Sequence, residues 1–210
     1  TCAFVGATGA GKTTILSLLV KSYTPQKGQI LIDDVDINDI KISSLRKGIG
    51  QMLQDVFLFS GNIKSNVTLF DDNYSDLEIK SAMRYVNADS FVSQLEKGIY
   101  QEVVERGDNF SQGQRQLLSF ARTILHKPQI LLLDEATANI DTETEVLIQD
   151  SLEKMKSLGT MLVVAHRLST IKNSDQIICL QNGEIVERGT HSSLLKQKGY
   201  YYKLNELQFK

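Results

Sequence analysis

The residues Gly6-Ala7-Thr8-Gly9-Ala10-Gly11-Lys12-Thr13 form a glycine-rich loop that ends in a lysine and a hydroxyl, with Thr14 following directly. An apolar run, Thr1-Cys2-Ala3-Phe4-Val5, precedes it, and a helical run, Thr14-Ile15-Leu16-Ser17-Leu18-Leu19, follows. Glycines let successive backbone N–H groups converge on phosphate oxygens, and a helix N-terminus adds positive partial charge. In that setting Lys12 bridges the terminal phosphates of a nucleoside triphosphate and the Thr13 hydroxyl ligates Mg²⁺. The plain alternative is a glycine-rich turn with an exposed lysine, but at ordinary glycine frequency a chance match is roughly a one-in-a-hundred event. The loop specifies a nucleoside triphosphate and nothing finer, since kinases, GTPases and motors share it.

Ile130-Leu131-Leu132-Leu133-Asp134-Glu135 reads as a buried strand tipped by two adjacent acids. A strand of that kind has no structural use for paired carboxylates at its end. Asp134 is placed to hold the Mg²⁺ shell and Glu135 to polarise a water for in-line attack on a γ-phosphate. Val163-Val164-Ala165-His166 repeats the pattern with a histidine. A lone histidine is usually structural, but ligands in open α/β sheets gather at strand C-terminal ends, so His166 is a candidate to orient the γ-phosphate or the water.

These residues need a sheet that delivers them to one edge. Short apolar runs alternate with amphipathic segments, the pattern of parallel strands with crossover helices. The expected fold is therefore α/β, a P-loop core with a mostly parallel sheet. Strands are expected at Cys2–Val5, Ile30–Ile32, Ile49–Leu53, Ile130–Leu133, Met161–Val164 and Ile177–Leu180, with a return strand Glu184–Glu187 after the hairpin signal Asn182-Gly183. Between Asp55 and Lys127 helical spacing takes over: Ser75-Asp76-Leu77-Glu78 is a capping box opening a helix with Ala82, Met83 and Val86 inward. Asp89 is expected to cap a short helix through Leu95 that stops at Gly98, and a further helix is expected from Ser111 to before Pro128.

Of the 210 residues 41% are hydrophobic, enough for a sizeable core, and the net charge of −2 gives no electrostatic reason to bind nucleic acid. Cys2 and Cys179 lie far apart in apolar runs without metal-ligand spacing and are expected to be small buried hydrophobes. No apolar stretch approaches the ~18 to 20 residues that span a bilayer. Because the chain opens directly on a strand, it is expected to be cut from a longer polypeptide.

After Asp134-Glu135 comes Ala136-Thr137-Ala138-Asn139-Ile140-Asp141, and earlier stands Asn109-Phe110-Ser111-Gln112-Gly113-Gln114-Arg115-Gln116. With the phosphate loop, Gln54 and His166, these segments resemble the ABC ATPase family in order and separation, over nearly the whole chain. The resemblance implies a RecA-like core at 1–54 and 127–210, an inserted all-helical signature subdomain at 55–126 and antiparallel β elements. It implies that ATP and Mg²⁺ are bound, that Gln54 senses Mg²⁺ and links core to helical lobe, and that Asp141 stands near the nucleotide. Ser111, Gly113 and Gln114 belong to the family's signature, whose helix N-terminus meets the γ-phosphate held by a second ABC ATPase domain in a head-to-tail dimer.

Phe57-Leu58-Phe59-Ser60-Gly61-Asn62-Ile63 and Glu102-Val103-Val104-Glu105-Arg106-Gly107 look like export-type members, where such segments meet a transmembrane domain of the same polypeptide. The expected role is the ATP-hydrolysing motor of an exporter at the cytoplasmic face of a membrane, without nucleic acid. A soluble ABC ATPase and a nucleotide-gated dimerisation module with little turnover are the alternatives. Phe110 and Gln112 depart from the usual Leu-Ser-Gly-Gly-Gln signature, as in the catalytically complete subunit of some heterodimeric exporters, so the expected partner is a different subunit; a homodimer remains open if the Gln112 side chain points away from the phosphate. The family's adenine-stacking aromatic lies upstream of the loop and is outside this sequence. Tyr23, Tyr85, Tyr100 and Tyr200-Tyr201-Tyr202 are expected to be packing residues, and His126 and His191 to lie on the surface.

Overall fold

A computed structural model describes residues 1–53, 55–134, 140–164 and 168–208. The chain forms two compact units: Thr1–Ile49, Ile130–Ala136 and Thr160–Lys210 make the first, Gly50–Gln129 and Thr137–Gly159 the second.

The first unit is built on strands β1 (Cys2–Val5), β2 (Ile130–Asp134), β3 (Thr160–Val164), β4 (Gln176–Gln181) and β5 (Glu184–Gly189), in the spatial order β5-β4-β1-β3-β2. β1 runs parallel to β3 and β4, β2 runs parallel to β3, and β5 returns antiparallel along β4. Runs such as Leu131-Leu132-Leu133 are apolar without alternation because such strands are covered on both faces, and all three side chains are buried. Helix α1 (Lys12–Leu19) buries Leu16 in a core with Phe4, Val20, Ile37, Leu45, Leu132, Val164 and Leu180. The Asn182-Gly183 turn has φ of 51° and 83°, as a two-residue hairpin of matching twist requires. Leu31–Ile32 is paired antiparallel with Val35–Asp36, a partner the sequence reading lacked. Its signal was Asp33-Asp34, a residue type that tolerates the left-handed turn adopted there.

The second unit begins with the remainder of the strand Ile49–Met52 and is mostly helical: Ile63–Thr68, Asp76–Tyr85, Asp89–Val92, Gln112–Leu125 and Thr142–Met155. A short ribbon, Gly61–Asn62 with Glu102–Val103, is its antiparallel element. Ser75 and Glu78 form the expected capping box, and Ile79, Ala82 and Met83 face inward. Asp89 is not a cap: Ala88 holds that position and Asp89 is the first helical residue, its carboxylate near Arg84 instead. That helix ends at Val92 rather than Leu95, and Gly98 opens a 3₁₀ turn, Gly98–Tyr100.

Several side chains sit differently from expectation. Tyr23 and Tyr100 are 67% and 51% exposed and are not core residues, whereas Tyr201 is buried and donates to or accepts from His191 Nδ1 at 2.7 Å. His191 is therefore half-buried, as is His126, which meets Tyr74 OH at 3.1 Å. Cys179 is buried but Cys2 only half so. Among the described residues no helix is long and apolar enough to cross a membrane.

Candidate functional site

The sheet register carries the chemistry of the first unit to one edge. Phe4 and Asp134 both pair with Val164, so the glycine loop leaves β1 just beyond the level at which β2 presents Asp134. The loop's floor, Gly6, Ala10 and Lys12, is buried, while its rim, Ala7, Thr8 and Gly9 with Thr13 and Thr14, is exposed. Ala10 O accepts from Gly183 N–H at 3.2 Å, which ties the loop to the β4–β5 hairpin. Gly11 caps α1 at φ 98°, a left-handed conformation that aims the first-turn N–H groups out of the helix end and that a side chain would strain.

Lys12 Nζ donates to Gly6 O at 2.9 Å and Ala7 O at 3.0 Å, so its ammonium lies across the loop. Burial pushes that ammonium below the ordinary lysine range, and the Asp134 carboxylate pulls the other way. Phosphate oxygens are stronger acceptors than these carbonyls, since the bond then joins two charges. Thr13 Oγ1 donates to Asp134 Oδ2 at 3.2 Å, so two residues 121 apart in sequence converge at the base of α1. A hydroxyl and a carboxylate are the oxygen donors a hard cation takes. Among the described residues no three His, Cys, Asp or Glu side chains gather to hold a metal. Gln54, Glu135 and His166 lie outside the described residues.

In the second unit Ser111 is the N-cap of the helix Gln112–Leu125: its Oγ accepts from Gln114 N–H at 3.2 Å, and Gln114 Oε1 accepts from Ser111 N–H at 3.0 Å. Among the described residues the Ser111 hydroxyl proton has no acceptor. Phe110, in the place of the usual leucine, is buried and packs edge-on against Phe91 at 6.2 Å between ring centroids. Gln112 lines a cavity of about 400 Å³ with Asp55, Phe57, Arg106, Asp108 and Arg115. Asp141 caps the helix Thr142–Met155 by accepting from Thr144 N–H at 2.9 Å. Bonds from the Thr144 backbone and hydroxyl hold the Asp141 carboxyl below the usual carboxylate range.

Sequence reasoning missed Asn66 and Arg122. Asn66, fully buried, exchanges hydrogen bonds with the backbone of Phe59 at 2.8 Å in both directions, and Arg122 donates to Asn66 O at 2.9 Å and Phe57 O at 3.2 Å. Together they set a loop whose Phe57 and Phe59 rings are exposed and stacked edge-to-face, with Phe70, beyond the helix Ile63–Thr68, edge-on to Phe59. An asparagine in a short helix gives no sequence signal of this kind.

A family model described as ABC transporter matches residues 1–138. The chain is 51% identical over 208 residues to a probable multidrug resistance ABC transporter ATP-binding/permease protein of Bacillus subtilis (strain 168), covering 99% of this chain and 31% of that protein. It is 46% identical over 208 residues to an ATP-dependent lipid A-core flippase of Syntrophus aciditrophicus (strain SB), covering 99% and 35%. A solved bacterial Atm1-family ABC exporter with ATP bound superposes with a TM-score of 0.92 at 40% identity, over 100% of this chain and 36% of that one. The chain thus spans about a third of the length of these relatives.

Proposed function

The chain belongs to the ABC transporter family and is its ATP-binding domain, and from that premise we propose that it is the ATP-hydrolysing motor of an exporter. The observation that carries this reading is the hydrogen bond from Thr13 Oγ1 to Asp134 Oδ2 beneath a glycine loop spanned by Lys12. It joins the two protein oxygens that would hold Mg²⁺ at the end of a triphosphate cradle. When bound, Mg²⁺ supplies charge neutralisation to the phosphate oxygens. Gly6 to Thr14 orient the triphosphate, Lys12 holds its terminal oxygens, and Glu135, next after Asp134, accepts the proton of the attacking water. His166, two residues beyond the Val164 that pairs with Asp134, orients the γ-phosphate, and Gln54 attends the metal.

Ser111, Gly113, Gln114 and Asp141 serve the nucleotide held by a second ABC ATPase domain. The chain's likeness to an ATP-binding/permease protein and to a flippase supports a transmembrane domain in the same polypeptide and a place on the cytoplasmic face of a membrane. The exposed Phe57 and Phe59 rings, with Phe70 beside them, support the loop after Gln54 as part of the surface that domain meets.

The test is Mg²⁺-dependent ATP hydrolysis by the full-length parent in lipid, alone and co-expressed with an adjacent ABC gene product, each with a Glu135→Gln control. Activity only with the partner, lost in the mutant, establishes the heterodimer expected from Phe110 and Gln112. Equal activity alone establishes a homodimer that accommodates Gln112. No hydrolysis in either arm, or none lost in Glu135→Gln, refutes the motor as described.

A further inference from the structure

Gly113 is buried in the first turn of the helix Gln112–Leu125, and its backbone does not adopt a left-handed conformation. Glycine inside a helix costs about 1 kcal/mol relative to alanine, so something else must favour it here. A Cβ at this position would collide with Thr144 Cγ2 and come within 3.1 Å of Ile140 Cγ2. Both neighbours are β-branched and stiff at χ1, so neither yields easily. They flank Asp141, the residue that caps the helix Thr142–Met155 through Thr144 N–H.

The other end of that helix is fastened too. Asn87 Nδ2 donates to Leu147 O at 3.1 Å and Asp150 Oδ2 at 2.7 Å, Ser151 Oγ donates to Val86 O at 2.8 Å, and Tyr85 OH donates to Lys154 O at 2.8 Å. Asn87 adopts φ 58°, a conformation that asparagine tolerates better than most residues. The helix after Asp141 is therefore bound, at its first turn and its last, to the same unit that carries Ser111.

We infer that Thr144 is a positioning residue for the reaction: its Cγ2 methyl occupies the space that a side chain at Gly113 would fill, and this contact fixes Asp141 relative to Ser111 and Gln114. The inference rests on the reading of Ser111 and Asp141 as nucleotide-facing groups. It gives Gly113 a role besides letting a phosphate approach the helix end, and the two roles separate experimentally because Thr144 can be changed while the glycine stays.

In the full-length parent in lipid, Gly113→Ala is expected to lower kcat at least about tenfold, while the untouched phosphate loop keeps KM for ATP within about threefold. Gly113→Ala with Thr144→Ser removes the methyl at the collision but keeps the hydroxyl and leaves Thr144 Cβ and Ile140 Cγ2 at 3.1 Å, so kcat should rise at least about threefold above that of Gly113→Ala. Thr144→Leu, which crowds the contact from the other side with glycine in place, should lower kcat at least about fivefold and remains informative if Gly113→Ala fails to accumulate. The inference is overturned if Thr144→Leu, with the glycine in place, stays within about twofold of wild type. An inactive wild type would sink the motor reading and this inference with it, whereas an active wild type with an unaffected Thr144→Leu sinks the inference alone.

Discussion

Replacing Asn66 by alanine would unfasten the aromatic loop without touching a nucleotide-facing group. Asn66 Oδ1 accepts from Phe59 N–H at 2.8 Å, and its Nδ2 donates to Phe59 O at 2.8 Å. The substitution also removes the Asn66 Nδ2 bond to Asn62 O and the Arg122 bond to Asn66 Oδ1, but only the two neutral bonds to Phe59 hold the loop directly; at about 0.5–1.5 kcal/mol net each, the loop loses at least about 1–3 kcal/mol against local opening. At 1.4 kcal/mol per tenfold, that is an increase of roughly 5- to 150-fold in the open population. Arg122 keeps its bonds to Asn66 O and Phe57 O, since both acceptors are backbone, but loses its 3.3 Å bond to Asn66 Oδ1, so the effect should centre on the segment around Phe59 and reach Arg122. Hydrogen exchange on the full-length parent, followed in a peptide containing Phe59, reads this directly: exchange accelerates by that factor in Asn66→Ala, while peptides of the phosphate loop are unchanged. Exchange at Phe59 within about twofold of wild type, in a folded variant, would refute the assignment of Asn66 as the fastener, because the local opening energy would then not depend on its side chain.

Ser111→Ala should cost about 1 kcal/mol through loss of the cap and lower Tm by about 2–4 °C. Ser111→Gly should cost only a few tenths of a kcal/mol, so an ATPase loss on the order of 10²-fold shared by both variants would isolate the hydroxyl's part in the reaction; full activity in Ser111→Gly would leave the serine only a capping role. Asp134→Asn should raise the Mg²⁺ concentration for half-maximal ATPase by at least about tenfold, with Mg²⁺-free ATP binding retained; an unchanged Mg²⁺ dependence would remove Asp134 from the metal's shell. Burial pushes the Cys179 thiol from 9.0 up to about 12. Its contribution to stability is thus complete below pH 9 and is lost as pH rises towards 12, because the unfolded chain then releases a proton that the folded chain retains. Stability measured between those limits should fall less steeply in Cys179→Ala, and native Cys179 should resist alkylation at pH 8; rapid labelling of the folded protein would contradict its burial.

What the sequence determined was local. Backbone chemistry and spacing fix a glycine loop, a capping box or a two-residue turn, so the loop at Gly6–Thr13, the caps at Ser75 and Ser111 and the Asn182-Gly183 hairpin were legible before any fold was known. Continuous apolar runs identified the strands for a similar reason, since only a sheet covered on both faces accepts them. Contacts distant in sequence were decided by the tertiary structure. No spacing rule brings Thr13 to Asp134, Asn66 to the backbone of Phe59, or Thr144 to the bare face of Gly113. Asp89 shows the limit from the other side: its type suits a cap, but Ala88 holds that place and Asp89 is the first helical residue. Residue type supplies the chemistry a side chain can perform, and only the packed chain selects the partner with which it performs it.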